Sequence, residues 1–301
     1  MGMRRGDGSV FEELKERAQE AADCGQLARA EALIAEALDW ARQNGTGDQI
    51  DHALCNRAAI AIPQGRGEGE LPHLREILMR SGNLENCRLA AYHISRFYEY
   101  SKNFKKSLFY ARIARDRAEL LGVPEWLAVT HNLIGNALLG QSFVEEACLE
   151  YQRALSLMPV TLAASRAVSL QNLGYCRILQ QRHDEGYALL YESARQLRRL
   201  GAEQYLTMIN LDLCFAHLET GRLRHARRRG LAALRLAEKT AQTDAVKNAL
   251  YLLGEAANLS GDAETAHSYF SRLQHDYFPD AGYLSGFLLA VDVRKLINLH
   301  A

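Results

Sequence analysis

Proline is scarce in this sequence, with 5 residues in 301, and no short run of β-branched residues alternates with polar ones. Such alternation is typical of half-buried strands, whereas proline is the residue that most often interrupts a helix. Leu, Ala, Glu, Arg and Gln are abundant instead, and all of them favour helix. The composition therefore predicts an all-α protein.

Neither sign of charge is in excess, because Lys+Arg and Asp+Glu both number 36. A balanced chain offers no global attraction to nucleic acid or to an anionic membrane surface. The longest apolar runs, such as Gly286–Val291, are far shorter than the ~20 residues of a membrane-spanning helix. The opening MGMRRGDGSV has two arginines but no apolar segment behind them, so we expect no secretory signal and a cytoplasmic location.

Catalytic and metal-binding signatures are missing too. The six cysteines are scattered without a C-x-x-C pair, and we interpret them as reduced, small core residues. The ten histidines lack the spacing of a metal site. G-x-S-x-G, H-E-x-x-H and the P-loop are absent. The sequence therefore predicts a protein that is not an enzyme and needs no metal or cofactor.

What the sequence does contain is a repeat. Successive gaps of 40, 37, 40, 39, 40 and 40 separate the small residues Ala18, Ala58, Ser95, Gly135, Gly174, Cys214 and Gly254. Another small residue follows twelve positions later in every repeat except the second, which has Glu70 there. Two helices approach closely only where the contact residues are small, so this spacing predicts a stack of helical hairpins.

Glycines mark the ends of the predicted helices. Those at hairpin turns are Gly25, Gly221 and Gly261, and those between repeats are Gly45, Gly82, Gly122 and Gly201. A glycine after a helix is typical of a left-handed C-terminal cap, which we expect at the four positions between repeats.

The clearest copy of the repeat runs from Ala128 to Pro159. Its small and bulky residues are Ile134-Gly135, Leu138, Ala147, Tyr151, Ala154 and Pro159. This pattern resembles a tetratricopeptide repeat (TPR), in a variant of ~40 residues, although His131 replaces the aromatic residue expected early in the first helix. The resemblance implies a right-handed superhelical α-solenoid of about seven helix-turn-helix repeats.

The predicted array spans residues 10–281 and is followed by a C-terminal capping helix. The repeats lie near 10–45, 48–81, 83–122, 124–160, 161–201, 202–240 and 242–280, and the cap covers 282–301. A partner-docking role for the cap is the alternative. The Gly- and Pro-rich stretch 63–72 is predicted as a structural insertion, with a mobile partner-contacting loop as its alternative.

TPR proteins bind peptides or helices along the inner face of their first helices, so the resemblance implies a groove here. Its predicted residues are Tyr92, Arg96, Asn132, Asn136, Gln171, Tyr175, Met208, Leu211, Phe215, Tyr251 and Asn258. The amides and the guanidinium suit an extended peptide backbone, and the rings suit its side chains. The apolar stripe of the sixth repeat needs a cover, either the C-terminal helix or a partner. The alternative is that these are ordinary half-buried residues.

The second helix of the sixth repeat is rich in arginine. Arg224, Arg227, Arg228 and Arg235 form either a solvated face balanced by neighbouring acids or a surface for an anionic partner. Our leading hypothesis is a scaffold or regulatory adaptor that holds a peptide or helix of another protein. The alternatives are a peptide-signal sensor module of a bacterial regulatory system and binding of nucleic acid or an acidic partner. The expected partner is a protein rather than a membrane, a nucleic acid or a small-molecule substrate.

Overall fold

The computed structural model describes residues 7–202, 205–296 and 298–300, and over these residues it contains α-helices, short 3₁₀ turns and no strand. The predicted all-α class is confirmed. Contacts divide the helices into two compact bodies, with the boundary between Gln141 and Ser142. None of the described helices is both long and apolar enough to span a membrane.

Over the described residues, the first body contains seven α-helices. They are α1 (Asp7–Asp23), α2 (Leu27–Asn44), α3 (Gly47–Ala61), α4 (Leu71–Arg80), α5 (Leu84–Tyr100), α6 (Phe104–Leu121) and α7 (Pro124–Gly140). Consecutive helices pack against each other, and α1, α3, α5 and α7 also pack one on the next. Helices that are closely spaced lie on the inside of a curved stack, so these first helices form the inner face of the body.

In the part of the second body that the structure describes, there are eight α-helices. They are α8 (Val144–Leu157), α9 (Ala163–Leu179), α10 (His183–Arg199), α11 (Leu206–Glu219), α12 (Leu223–Lys239), α13 (Thr243–Leu259), α14 (Ala263–Tyr277) and α15 (Leu284–Ala290). Here α9 packs on α11 and α11 on α13, so these three first helices form the inner face.

The small residues of the repeat lie at the helix contacts, as predicted. The Ser95 hydroxyl donates to the Ser107 carbonyl oxygen at 2.8 Å, and both serines are fully buried. Gly174 and Gly186 approach so closely that a Cβ added to Gly186 would lie 2.9 Å from the Gly174 carbonyl oxygen. Each of these pairs is separated by twelve residues, so the sequence spacing corresponds to the crossing point of a hairpin.

A left-handed residue follows seven positions after the first small residue of every repeat. The seven are Gly25, Gly65, Lys102, Ser142, Gln181, Gly221 and Gly261, with φ between 58° and 79°. The hairpin turns therefore share a left-handed residue at this position, whether or not the residue is glycine. Left-handed backbone places Cβ close to the carbonyl oxygen, so the three non-glycine turns are strained.

Between repeats the glycine prediction is only half right. Gly122 and Gly201 have the left-handed φ of 67°, as expected. Gly45 is extended, with φ −97°, and Gly82 is not left-handed either, so those two expectations are wrong. Gly45 is small for a different reason, because a Cβ there would lie 2.9 Å from the backbone of Ala41.

Relieving one strained turn is expected to stabilise the second body. We expect Gln181→Gly to raise its free energy of unfolding by about 1 kcal/mol, because glycine adopts positive φ without the penalty of a Cβ. The reciprocal control is Gly221→Ala, at the same position of the next repeat, with open space around its Cβ. Urea denaturation should show opposite shifts for the two variants. Shifts of the same sign would contradict the strain argument.

The second repeat replaces its small contact residue with an ion pair. Glu70 accepts two hydrogen bonds from the Arg57 guanidinium, at 3.0 and 2.9 Å. Arg66, in the connection before it, pairs with Glu31 of α2. The 63–72 stretch is thus fastened to α2 and α3, which favours the structural interpretation over a mobile loop.

The predicted C-terminal helix over 282–301 is wrong beyond Ala290. The seven-residue α15 packs on α14 and buries Leu288, as a cap does. Asp292 accepts from the Arg294 amide at 3.0 Å, an interaction that competes with helix, and only a 3₁₀ turn at Arg294–Leu296 follows. The chain then returns along the inner face of the second body.

Candidate functional site

Four of the predicted groove residues lie in the first body. They are Tyr92 and Arg96 on α5 and Asn132 and Asn136 on α7, all half-buried. The Arg96 guanidinium donates to the Tyr100 hydroxyl at 2.9 Å, and the Asn136 amide donates to the Glu99 carboxylate at 3.0 Å. The polar atoms of Arg96 and Asn136 therefore bond to neighbours on α5. A separate cavity of about 550 Å³ lies between α1, α3 and α5.

The other seven predicted residues line α9, α11 and α13 of the second body. They are Gln171, Tyr175, Met208, Leu211, Phe215, Tyr251 and Asn258. Met208 and Asn258 are half-buried, and the other five are buried. Part of this cover is the protein itself, since residues 291–296 and 298–300 lie on this face; they are termed the return segment. Asn258 binds the end of the preceding helix α15 by donating to the carbonyl oxygen of Leu289 at 3.3 Å.

Leu299 of the return segment is held by its backbone. Its amide donates to the Tyr175 hydroxyl at 3.1 Å, and its carbonyl oxygen accepts from the Asn248 amide at 3.3 Å. Its side chain is only 3% exposed. Two first helices thus satisfy both backbone polar groups of one residue in a turn. This is a way of binding a peptide that does not depend on its side chain.

His300 occupies a pocket formed by Tyr175 and Asp212. The two rings stack at a centroid distance of 4.4 Å, and the imidazole Nε2 lies 3.0 Å from an Asp212 oxygen. The other Asp212 oxygen accepts from the Gln171 amide at 2.8 Å. A buried carboxylate is costly unless it is bonded, and here both oxygens have partners. Burial raises the pKa of Tyr175 far above its usual range, so the phenol stays neutral.

Arg294 lies over two acids of the inner face. Its guanidinium nitrogens are 3.6 Å from Glu219 and 3.6 Å from Glu255, which is too long for a hydrogen bond. The same guanidinium is closer to Asp292 of its own segment, at 2.9 and 2.6 Å. The Oε1 atom of Glu255 and the hydroxyl of Tyr251 are buried and have no hydrogen-bond partner among the residues that the structure describes. Burial, and then Asp292, raise the pKa of Glu255 to about 7.

These contacts give the direction of the return segment. Arg294 is near Glu219 and His300 is near Asp212, so the segment runs antiparallel to α11. Phe215 lies on the same face of α11 between the two acids and is buried. The expected cover of the sixth-repeat stripe is therefore the C-terminal part of the same chain, whose described residues form turns rather than an α-helix.

Sequence reasoning did not select Asp212 and Glu219, which anchor the two ends of this contact. A signal for Asp212 exists, because it is a single acid in the middle of the otherwise apolar run Leu211–Ala216. An acid at such a position is costly without a partner and so points to one.

The arginines of α12 are on the outside of the second body. Arg224, Arg227, Arg228 and Arg235 are exposed, and within the described part of the chain none of them is in an ion pair. The balancing acids of the first interpretation are therefore not paired with them. Neighbouring Arg222 and Arg229 instead stack on Tyr187 and Tyr191, with distances of 5.2 and 5.3 Å to the rings.

Metal-ligand and disulfide chemistry finds no support among the residues that the structure describes. No group of three or more His, Cys, Asp and Glu side chains could hold a metal ion there. The six cysteines are free thiols, and all except Cys24 are buried.

No protein-family model matches the sequence, and no curated protein is significantly similar to it. Solved structures do match. The apo form of the quorum sensor NprR from B. thuringiensis has a TM-score of 0.68 at 14% identity, covering 95% of this chain and 82% of that one. A Rap protein complexed with Competence and Sporulation Factor has a TM-score of 0.64 at 15% identity, covering 99% and 87%.

A third neighbour is a signal-transduction ATPase with a tetratricopeptide-repeat sensor from Pyrococcus horikoshii. Its TM-score is 0.58 at 14% identity, over 91% of this chain and 43% of that one. At these identities the likeness concerns the fold. The chain has a TPR-type helical-repeat fold, as the sequence pattern indicates.

Proposed function

We propose that this protein is a non-catalytic, cytoplasmic adaptor or sensor that binds an extended peptide segment of another protein on the inner face of α9, α11 and α13. The observation that carries the proposal is the binding of the Leu299 backbone by side chains of the inner face. Tyr175 and Asn248 hold its amide and its carbonyl oxygen, at 3.1 and 3.3 Å. A face that can bind the backbone of one segment in this way has the chemistry to bind another.

An extended peptide fits this face better than a partner helix. The backbone groups of a helix are already bonded within the helix, whereas Tyr175 and Asn248 present an acceptor and a donor to a free backbone. Side pockets such as that of Tyr175 and Asp212 then select among sequences. Two structural neighbours agree with a signalling role, since one is described as a quorum sensor and the other as bound to Competence and Sporulation Factor.

The test is selection of peptides from a random display library on the full chain carrying Leu299→Ser, which loosens the return segment. We expect the selected peptides to lose at least tenfold in affinity when Asp212→Asn and Gln171→Ala are added, because the side pocket then loses its paired carboxylate. Fluorescence anisotropy with labelled peptides measures this. Circular dichroism checks that each variant remains folded.

A second candidate function is binding of an anionic partner to α12, favoured by its exposed arginines without ion pairs. In the same peptide-binding assay, this candidate function predicts the opposite dependence on the substitutions. Ligands would survive the two groove substitutions but be lost with Arg224→Glu and Arg228→Glu, with a steep dependence on salt. That outcome would exclude the groove as the binding site.

A further inference from the structure

The inner face of the second body contains polar atoms that its occupant fails to satisfy. Glu255 is 2% exposed and Tyr251 is 5% exposed, yet within the described part of the chain one carboxylate oxygen and the hydroxyl have no hydrogen-bond partner. Buried polar atoms are nearly always bonded in native proteins, so unsatisfied ones require an explanation. Both belong to the face that holds the return segment, on successive turns of α13.

The guanidinium of Arg294 approaches these atoms without forming a hydrogen bond to Glu255. Arg294 lies 3.6 Å from both Glu219 and Glu255, while Asp292 receives its two short hydrogen bonds. Asp292 therefore competes with Glu219 and Glu255 for the guanidinium of Arg294. Asp292 also adds a negative charge that faces Glu255. A guanidinium without such a neighbour could donate to both acids directly, and its planar fork suits two carboxylates.

We infer that Tyr251, Glu255 and Glu219 form a subsite for an arginine of the partner peptide, and that the return segment fills it as a weak internal competitor. This inference rests on the proposed function and names the class of ligand, an extended peptide with an arginine that is not paired within the peptide. The partner's arginine displaces Arg294 and satisfies the unpartnered oxygen atoms.

The return segment has the properties of an exchangeable occupant. Leu299 and Val293 are buried, but Leu296 between them is 84% exposed. Among the described side chains of the segment, the buried apolar contact is thus made by Val293 and Leu299. Buried apolar area sets most of the affinity of such a contact, so a small footprint allows displacement.

The experiment measures binding of a synthetic peptide with the sequence of residues 290–301, labelled with fluorescein, to two forms of the full chain. One is the wild type, and the other carries Leu299→Asp, which places a charge in an apolar pocket and releases the return segment. Leu299→Ser combined with His300→Ala is the milder release variant if the first fails to fold. We expect at least tenfold tighter binding to the released form than to the wild type.

Peptide variants then test the subsite on the released form. Asp292→Asn in the peptide should tighten binding about tenfold, because the arginine is freed and a charge facing Glu255 is removed. Arg294→Gln should weaken it by a similar factor. Leu296→Ala is the matched control, since that side chain is exposed, and should leave the affinity unchanged. Adding Glu219→Gln and Glu255→Gln to the protein should abolish the preference for arginine.

The possible failures are distinguishable. If no peptide binds the released form, the groove is not a peptide site and the proposed function falls. If the peptides bind but arginine and glutamine are equivalent, the acidic subsite is wrong while the groove stands. If wild type and released form bind equally, the return segment is not a competitor, and that part of the inference is overturned.

Discussion

Gly186→Leu is expected to lower the free energy of unfolding of the second body by about 3 kcal/mol or more, toward the upper end of overpacking in a protein core. A Cβ at Gly186 would lie 2.4 Å from the Cδ1 atom of Ile178 and 2.9 Å from the carbonyl oxygen of Gly174. Ile178 is itself buried and has little room to move. The backbone oxygen of Gly174 cannot rotate away, so α9 and α10 must separate.

Separation of α9 from α10 should also disturb the groove, because Tyr175 lies next to Gly174 on α9. We expect the Leu299 amide to lose its protection against hydrogen exchange in this variant, since its acceptor is the Tyr175 hydroxyl at 3.1 Å. Urea denaturation measures the stability, and hydrogen exchange detected by mass spectrometry measures the loosened segment.

Gly286→Leu is the matched control. Gly286 is also helical, in α15, but it is exposed and nothing lies within 4 Å of its Cβ position. Leucine has the better helix propensity by up to about 1 kcal/mol, so this variant should be neutral or slightly more stable. Equal destabilisation by both substitutions would mean that the small residues of the repeat do not set the helix spacing.

The repeat could be predicted from sequence because its causes are local. The close contact of Ser95 with Ser107 lies within one hairpin, and its spacing of twelve residues recurs along the chain. The left-handed turns were harder to predict from the sequence, since Lys102 and Gln181 adopt a backbone conformation that usually indicates glycine. Packing of the two helices imposes that conformation regardless of the residue at the turn.

The side chains that line the groove, unlike the segment that covers them, could be predicted for the same reason. Helical periodicity places Gln171 and Tyr175 on one face of α9, and the structure brings both to the site. The occupant could not be predicted, because Leu299 meets Tyr175 across 124 residues of sequence. The apolar run Gly286–Ala290 suggests a continuing helix, and only the contacts of Asp292 with Arg294 show why it stops.

Glu255→Gln is expected to stabilise the second body by about 2–3 kcal/mol at pH 8.5 and to have little effect at pH 4.5. Burial and Asp292 raise the pKa of Glu255 from 4.5 to about 7. A shift of that size corresponds to about 3 kcal/mol, because each pKa unit is worth 1.36 kcal/mol. Glutamine has the shape of the neutral acid and avoids the cost of the buried charge.

The sign follows from the direction of the shift. A carboxyl group whose pKa is raised in the native state contributes stability that is fully present below the pKa of the unfolded chain, 4.5. That stability is lost as the pH rises through about 7, since the native protein must then hold the charged form. Arg294 opposes this loss, whereas Asp292 and the buried surroundings cause it.

Buried histidines change the stability in the opposite sense. Burial lowers the pKa of His93 to about 3 and that of His217 to about 4. The wild type and the Glu255→Gln variant therefore both lose stability as the pH falls below 6.5, the usual pKa of histidine. The difference between wild type and variant removes this common contribution. The measurement is therefore a pair of urea titrations at each pH, and the quantity that matters is the difference between the two proteins.

Glu20→Gln is the control, because Glu20 is an exposed residue of α1, and an exposed substitution of this kind changes stability by at most about 0.5 kcal/mol. If Glu255→Gln differs from wild type by the same amount at both pH values, Glu255 does not titrate in this range. If the variant is less stable at pH 8.5, the Arg294 pair outweighs the buried charge. In that case the subsite is already satisfied by the return segment, and an incoming arginine would gain nothing there. The pH dependence of this one variant thus bears directly on whether the groove is poised to exchange its occupant.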